Sequence, residues 1–145
     1  MIHLLDVNVL IALADANHVH SEDALRFFEK TAVRDGWATC PLVENGFLRI
    51  FGNPRYPNGP GCPEKARRIL RSLLAAPGYR FWPDDHSLAK GSFVPSLPPA
   101  PQLTDCYLLA LAVAKGSRLA SFDRNINTAS VKGGEAALLI LGRLD

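Results

Sequence analysis

The chain has 145 residues, of which 48% are hydrophobic and 21% are charged, and its formal net charge is only +2. This length and composition are typical of one compact globular domain, expected here to cover residues 1–145, and they exclude wholesale disorder. The near-neutral charge provides no general basic field for a nucleic acid, so such a partner would have to be recognised through local sites.

The cysteines and the amino terminus indicate a cytoplasmic protein. Cys40, Cys62 and Cys106 are widely spaced and match neither a disulfide framework nor a CxxC zinc pattern. A reducing compartment is therefore the expected location. The apolar start of the chain lacks a basic leader and is interrupted by Asp6 and Asn8, so we expect neither a signal peptide nor a membrane span.

The first fifteen residues predict a strand, a carboxylate and a helix in immediate succession. Ile2, Leu4 and Leu5 form a short apolar run that stops at Asp6, and apolar residues at near-helical spacing begin at Val7. Two interpretations of the aspartate are open. It caps the helix, as Asp often does, or it lies in the crevice at the carboxyl ends of parallel strands, where α/β proteins bind ligands.

Helices and strands continue to alternate after this segment. The pattern predicts a helix from an N-cap at Ser21 to about Arg34, a strand over 37–40 and a helix that begins at Pro41. Glu44 falls in the first turn of the last of these helices. A glutamate there usually only interacts favourably with the helix dipole, so a functional role depends on other acids at the same edge of the sheet.

The middle of the chain contains loops with fewer functional signals. A glycine- and proline-rich loop over 52–63 precedes a helix over 63–75, whose basic face either binds phosphate or is simply solvated. A short strand is predicted over 79–82. Asp84 and Asp85 follow a proline, and they fit plain turn chemistry better than an extension of an acidic site.

The last third of the chain repeats the arrangement of the first. A helix is predicted over 103–115, with Thr104 as its cap and Asp105 at its first position. A strand over 118–123 then ends on an aspartate, and an apolar run over 136–141 fits a last strand. This alternation predicts a three-layer α/β domain with a mostly parallel central sheet.

Four acids are expected to meet at the carboxyl edge of that sheet. Asp6 and Asp123 end predicted strands, and Glu44 and Asp105 begin helices that leave this edge. Converging carboxylates repel one another, and a divalent cation would relieve that repulsion. Oxygen ligands without histidine or thiolate favour Mg²⁺ or Mn²⁺ over zinc. Such ions activate water for attack on a phosphate ester, with Asn8 and Thr104 supporting the ligands by hydrogen bonds.

These segments resemble PIN-domain proteins, specifically the VapC-type toxins of prokaryotic toxin–antitoxin pairs. The resemblance covers nearly the whole chain in order and spacing, and it rests on LLDVNVLIALAD, the Glu44 helix, LTDCYLLALAVAKG and RLASFD. It implies a PIN-like fold. It also implies that the acidic site residues of the family correspond to Asp6, Glu44, Asp105 and Asp123. Asn8, Thr104 and Ser121 match the positions that support these acids.

The resemblance further implies an Mg²⁺- or Mn²⁺-dependent endoribonuclease, usually a homodimer. A cognate VapB-type antitoxin would hold it inactive by covering the acidic groove, and operator DNA would be reached only through that antitoxin. One departure from the family is that no further acid follows Asp123 closely, since the next residues are Arg124, Asn125, Ile126 and Asn127. We therefore expect lower metal affinity or occupancy, with catalysis retained.

Contact with RNA would require local bases and a ring for stacking, because the predicted groove is acidic. The candidates are Arg49, Arg55, Lys90, Arg124 and, for stacking, Tyr56. Each of them is equally explained by ordinary loop composition.

Three alternatives remain beside the ribonuclease. A phosphatase of the haloacid-dehalogenase type also places an aspartate after its first strand, but it requires a second acid where this chain has Asn8 and a conspicuous later lysine. A catalytically weak PIN-fold binding module, acting through an antitoxin–operator complex, would follow from a loss of metal binding. Finally, the four acids could be unrelated caps and turn residues, although their shared edge argues against this.

Overall fold

A computed structural model describes residues 1–142, which form a five-stranded sheet with helices. All four strand pairings are parallel, and the order across the sheet is β3-β2-β1-β4-β5. The strands are β1 (His3–Leu5), β2 (Trp37–Thr39), β3 (Tyr79–Phe81), β4 (Arg118–Ser121) and β5 (Leu138–Ile140). The predicted α/β architecture with a parallel sheet is therefore confirmed.

Seven α-helical segments connect these strands within the described residues. A π-helical turn over Phe28–Ala32 joins α2 to α3, and a 3₁₀ turn over Ala100–Gln102 precedes α6. The helices are α1 (Val7–Ala14), α2 (Ser21–Phe27), α3 (Val33–Asp35), α4 (Pro41–Phe51), α5 (Pro63–Leu74), α6 (Leu103–Ala114) and α7 (Gly134–Ala137).

The strand order reverses direction between β1 and β4, and this reversal places the helices on both faces of the sheet. The chain moves from β1 outward to β2 and β3, then crosses back to β4 and continues to β5. Because parallel crossovers are right-handed, connections in opposite directions cover opposite faces. Helices α1, α4 and α5 accordingly pack together, whereas α6 packs with α7 and β4. A reversal of this kind opens a crevice at the carboxyl ends of the two strands.

Several predicted boundaries are wrong by a few residues. Ser21 is the first helical residue of α2 and not its N-cap. Thr104 lies inside α6 and does not cap it. The 3₁₀ turn that precedes α6 ends at Gln102, which occupies the N-cap position. Asp105 is consequently the third helical residue. The run from 136 begins with the end of α7, so β5 starts later than predicted.

The core lies between the central strands and the helices that cover them. Leu4, Leu5 and Leu119 have no exposed surface, and α6 is buried along most of its length. Helical spacing places Leu25 on the inner face of its helix, but 42% of it is exposed because the neighbouring Ala24 occupies the contact with the core. Among residues 1–142, no helix has the length and apolar character needed to cross a membrane.

Candidate active site

Asp6 lies directly beyond β1, where it caps α1 and also occupies the carboxyl edge of the sheet. Its carboxylate Oδ1 accepts a hydrogen bond from the Val7 N–H at 2.8 Å, which caps α1. Its own N–H donates to the Ala120 carbonyl at 3.0 Å, so the backbone of Asp6 continues the pairing of β1 with β4. The side chain is only 7% exposed. Asp6 is therefore a buried carboxylate at the point where the strand order reverses.

Ser121, at the end of β4, links Asp6 to its neighbours. The Ser121 hydroxyl donates to Asp6 Oδ2 at 2.7 Å and accepts from Asn8 Nδ2 at 3.1 Å and from the Asp123 N–H at 3.0 Å. Asn8 Oδ1 in turn accepts from the Phe122 N–H at 3.1 Å. The donor and both acceptor positions of this hydroxyl are thus used. The network fixes Asp6 and the turn that carries Asp123 relative to each other.

Asp105 and Asp123 complete a group of three aspartates that influence one another. Burial, followed by repulsion from Asp6 and Asp123, raises the pKa of Asp105 to about 6. Burial also raises the pKa of Asp6, repulsion from Asp123 adds to this effect, and hydrogen bonds from Ser121 and Val7 oppose it. Asp6 and Asp123 therefore lie near enough to Asp105 for their charges to affect it.

Glu44, in the first turn of α4, is held by residues that the sequence did not single out. Thr39 Oγ1, which is fully buried, donates to Glu44 Oε2 at 2.6 Å. The Tyr79 hydroxyl lies 2.8 Å from Thr39 Oγ1 and 3.5 Å from Glu44 Oε2. The only sequence signal for this arrangement was a polar residue within a buried strand. Thr39, the last residue of β2, and Tyr79, the first residue of β3, thus orient the glutamate.

The donor chemistry of the four predicted acids fits a hard divalent cation, because carboxylate oxygens are the ligands that Mg²⁺ and Mn²⁺ prefer. Within residues 1–142, however, no group of three or more His, Cys, Asp or Glu side chains is close enough to hold a metal ion as it stands. The residues that would hold such an ion are Asp6, Asp105, Asp123 and Glu44.

The remaining candidate residues lie around or away from this edge. Thr104 is exposed one position before Asp105, and Arg124 is exposed directly after Asp123. Arg49, Arg55 and Lys90 are also exposed. The Tyr56 ring packs edge-on against Phe51, and its hydroxyl donates to Asp15 at 2.7 Å. These contacts give Tyr56 a structural role, so base stacking on its ring remains only a prediction.

The architecture agrees with the comparison to known families. The model of the PIN domain matches residues 3–132. The chain belongs to the PIN domain family. The chain is also similar to two curated relatives from Mycobacterium tuberculosis strain H37Rv. Ribonuclease VapC38 is 44% identical over 86% of this chain and 87% of its own length, and Ribonuclease VapC39 is 42% identical over 85% and 89%.

Solved structures confirm the PIN fold at low sequence identity. The chain matches VapC20 of Mycobacterium tuberculosis, described as a toxin that cleaves the sarcin–ricin loop, with a TM-score of 0.64 and 14% identity, over 90% of this chain and 96% of that one. It also matches VapBC2 from Rickettsia felis bound to a promoter DNA fragment, with a TM-score of 0.60 and 12% identity, over 98% and 100%.

Proposed function

We propose that this PIN-domain protein is a VapC-type endoribonuclease that depends on Mg²⁺ or Mn²⁺ and acts as the toxin of a toxin–antitoxin pair. The relatives at 34–44% identity that are named as VapC ribonucleases support the reaction class. The observation that carries the proposal is the arrangement at the reversal point of the sheet, where Ser121 links Asp6 to the turn of Asp123 and repulsion from both aspartates adds to the raised pKa of Asp105. Buried carboxylates that destabilise each other are typical of a functional site.

The chain's own residues prepare this edge for a phosphate ester. Ser121 and the Val7 N–H each hold one oxygen of Asp6, so the carboxylate has a fixed direction. Hydrolysis of RNA breaks one P–O ester bond; water supplies the new oxygen on phosphorus and a proton for the departing oxygen. A divalent cation, when bound, supplies positive charge that offsets the charge of the phosphate and lowers the pKa of water.

The proposed partners follow from the same relatives. A VapB-type antitoxin would cover the acidic edge, and operator DNA would be contacted through that antitoxin, as the name of the Rickettsia felis VapBC2 complex with promoter DNA suggests. A homodimer and a cytoplasmic location complete the proposal. These assignments can be tested by copurification with the antitoxin and by sedimentation of the isolated protein.

The test of the ribonuclease is cleavage of a mixed RNA pool by the wild type and by Asp6→Asn, with EDTA, Mg²⁺ or Mn²⁺. The amide preserves the shape of the side chain and its acceptor oxygen but removes its charge. A matched control is Glu29→Gln, which neutralises an exposed acid that is not one of the four candidate site residues. We expect cleavage that needs the cation, is lost in Asp6→Asn and persists in Glu29→Gln. Cleavage that is equal in EDTA, or unchanged in Asp6→Asn, would contradict the proposal.

A catalytically weak PIN-fold binding module remains the second candidate. The observation that favours it is that, within residues 1–142, no three His, Cys, Asp or Glu side chains are placed so that they could hold a metal ion together. A folded wild-type protein that neither cleaves the RNA pool nor binds Mn²⁺ in calorimetry would support this module and overturn the ribonuclease.

A further inference from the structure

We propose that Asp84 is a positioning residue whose carboxylate links the amino-terminal halves of α4 and α6 and so sets the separation of Glu44 from Asp105. The inference rests on the proposed function, because it assigns Asp84 a part in cation-dependent RNA cleavage. The sequence favoured plain turn chemistry for this residue, and its contacts indicate a more specific role.

The two oxygens of Asp84 contact two different helices. Oδ2 accepts a hydrogen bond from the Leu42 N–H at 2.8 Å, and Oδ1 accepts one from the Tyr107 hydroxyl at 2.8 Å. Leu42 is two residues before Glu44 in α4, and Tyr107 is two residues after Asp105 in α6. The Asp84 carboxylate therefore connects α4, which contains Glu44, with α6, which contains Asp105.

The backbone around Asp84 is itself anchored to the sheet. Trp82 is only 8% exposed, and its N–H donates to the Thr39 carbonyl at 2.9 Å, which extends the pairing of β2 with β3 by one step. Pro83 follows and restricts the chain further, because its ring fixes φ. Asp84 is thus held just beyond the edge of the sheet. Thr39 also donates to Glu44, so both connections to α4 begin at the same strand ends.

Both contacts of Asp84 have a clear physical basis. The bond from Leu42 places negative charge at the N-terminus of α4, where a free N–H and the helix dipole both favour it. Tyr107 is 6% exposed, and a buried hydroxyl needs a partner. Burial and the Asp84 carboxylate raise the pKa of Tyr107 above its ordinary value. Phe93 packs edge-on against the Tyr107 ring with centroids 5.7 Å apart, which further restricts it.

The effect of Asp84 depends on its place between two helices. Its two oxygens accept hydrogen bonds from two different helices, and α4 and α6 lie on opposite faces of the sheet. Without the carboxylate, the amino-terminal halves of these helices would be free to separate. Misplacement of reactive groups by about 1 Å can reduce a rate by about a hundredfold.

The chain offers a closely matched control for a test of this role. Asp15 also accepts one backbone N–H, from Asn17 at 3.0 Å, and one tyrosine hydroxyl, from Tyr56 at 2.7 Å. It lies at the far end of α1 from Asp6. Asp15→Asn and Asp15→Ala therefore remove the same kinds of hydrogen bond as Asp84→Asn and Asp84→Ala, but away from the acidic edge.

The experiment measures RNA cleavage as a function of Mn²⁺ concentration, together with urea unfolding, for both pairs and for Tyr107→Phe. We expect the Asp84 variants to raise the Mn²⁺ concentration for half-maximal rate by about 10- to 100-fold, as for other residues that support metal ligands. Tyr107→Phe, which removes only the tie to α6, should give a smaller shift in the same direction. The Asp15 variants should lose similar stability without this shift.

The outcomes separate this inference from the proposed function. If the Asp84 variants and Tyr107→Phe require the same Mn²⁺ concentration as the Asp15 variants, Asp84 has only a structural role and the inference fails while the ribonuclease stands. If the wild type shows no Mn²⁺-dependent cleavage, the proposed function fails first. Should Asp84→Ala not fold, Asp84→Asn and Tyr107→Phe still decide the question.

Discussion

Ser121 shows how a single hydroxyl can organise the acidic edge. It is fully buried, it donates to Asp6 and it accepts from Asn8 and from the N–H of Asp123. An alanine at this position leaves one carboxylate oxygen, one amide and one backbone N–H without this partner. Because unsatisfied buried groups lose their hydration as well as their hydrogen bond, the replacement affects both stability and site geometry.

We therefore predict that Ser121→Ala lowers the free energy of unfolding by about 1–3 kcal/mol. It should also raise the pKa of Asp6 further, because the Ser121 hydrogen bond opposes the effect of burial. Urea unfolding and a carboxyl NMR titration measure the two effects. Ser117→Ala is the control, since Ser117 is also buried but donates only to the Lys115 carbonyl. Equal results for the two serines would contradict the role of Ser121.

Asp105 predicts a specific dependence of stability on pH. Its pKa is raised in the folded protein from 3.8 to about 6, so between these values the folded state binds more protons than the unfolded state. The stability contributed by protonated Asp105 is therefore present below about pH 4 and is lost as the pH rises through about 6. At neutral pH, without a cation, the ionised carboxylate destabilises the fold.

Asp105→Asn should accordingly raise the free energy of unfolding at about pH 7.5 in EDTA, with the gain shrinking as the pH falls toward about 4. Urea unfolding across this range measures the gain. Glu29→Gln, which neutralises an exposed acid, should show no comparable trend. A gain in Asp105→Asn that is absent at neutral pH, or that grows as the pH falls, would disprove the electrostatic account.

At the scale of elements, the position of Glu44 depends on how closely α4 approaches α1. Gly46 is buried in α4, and a Cβ at this position would lie 2.7 Å from Val7 Cγ2, at the start of α1. Since Val7 is β-branched and stiff, it has little freedom to move away. The missing side chain at Gly46 thus permits the first turns of the helices that carry Asp6 and Glu44 to come together.

We predict that Gly46→Ala destabilises the protein by about 1–3 kcal/mol through overpacking, even though alanine is the better helix former. RNA cleavage should fall as well, because α4 is displaced from α1. The double variant Gly46→Ala with Val7→Ala should recover stability relative to Gly46→Ala, and Val7→Ala alone completes the cycle. Urea unfolding of all four proteins measures the coupling. Additive effects would show that the two residues do not collide.

The elements also show what the sequence could and could not predict. Asp6, Asp105 and Asp123 were predictable because strand ends and helix starts in a parallel sheet share an edge, whatever the strand order. The contacts of Glu44 with Thr39 and Tyr79 were not, since they require the order and register of β2 and β3. The cap assigned to Thr104 was wrong because a short 3₁₀ turn leads into α6 and shifts its start.

For the whole molecule, the reversal of strand order between β1 and β4 accounts for the location of the site. Asp6 follows β1 and Asp123 follows β4, and these strands are neighbours whose outgoing connections leave toward opposite faces. The crevice between them is therefore open to a ligand. The same edge receives Asp105 from α6 and Glu44 from α4. A near-neutral chain thus concentrates negative charge at one place, which is the basis of the proposed cation-dependent ribonuclease.

The most direct test of this account is Mn²⁺ binding, measured by electron paramagnetic resonance, to the wild type and to Asp6→Asn, Asp105→Asn and Asp123→Asn, with Glu29→Gln as the control. The account predicts saturable binding to the wild type and the control, and greatly weakened binding to each of the three aspartate variants. Binding that is absent from the wild type, or equal in all five proteins, would contradict the proposal that these aspartates bind a divalent cation.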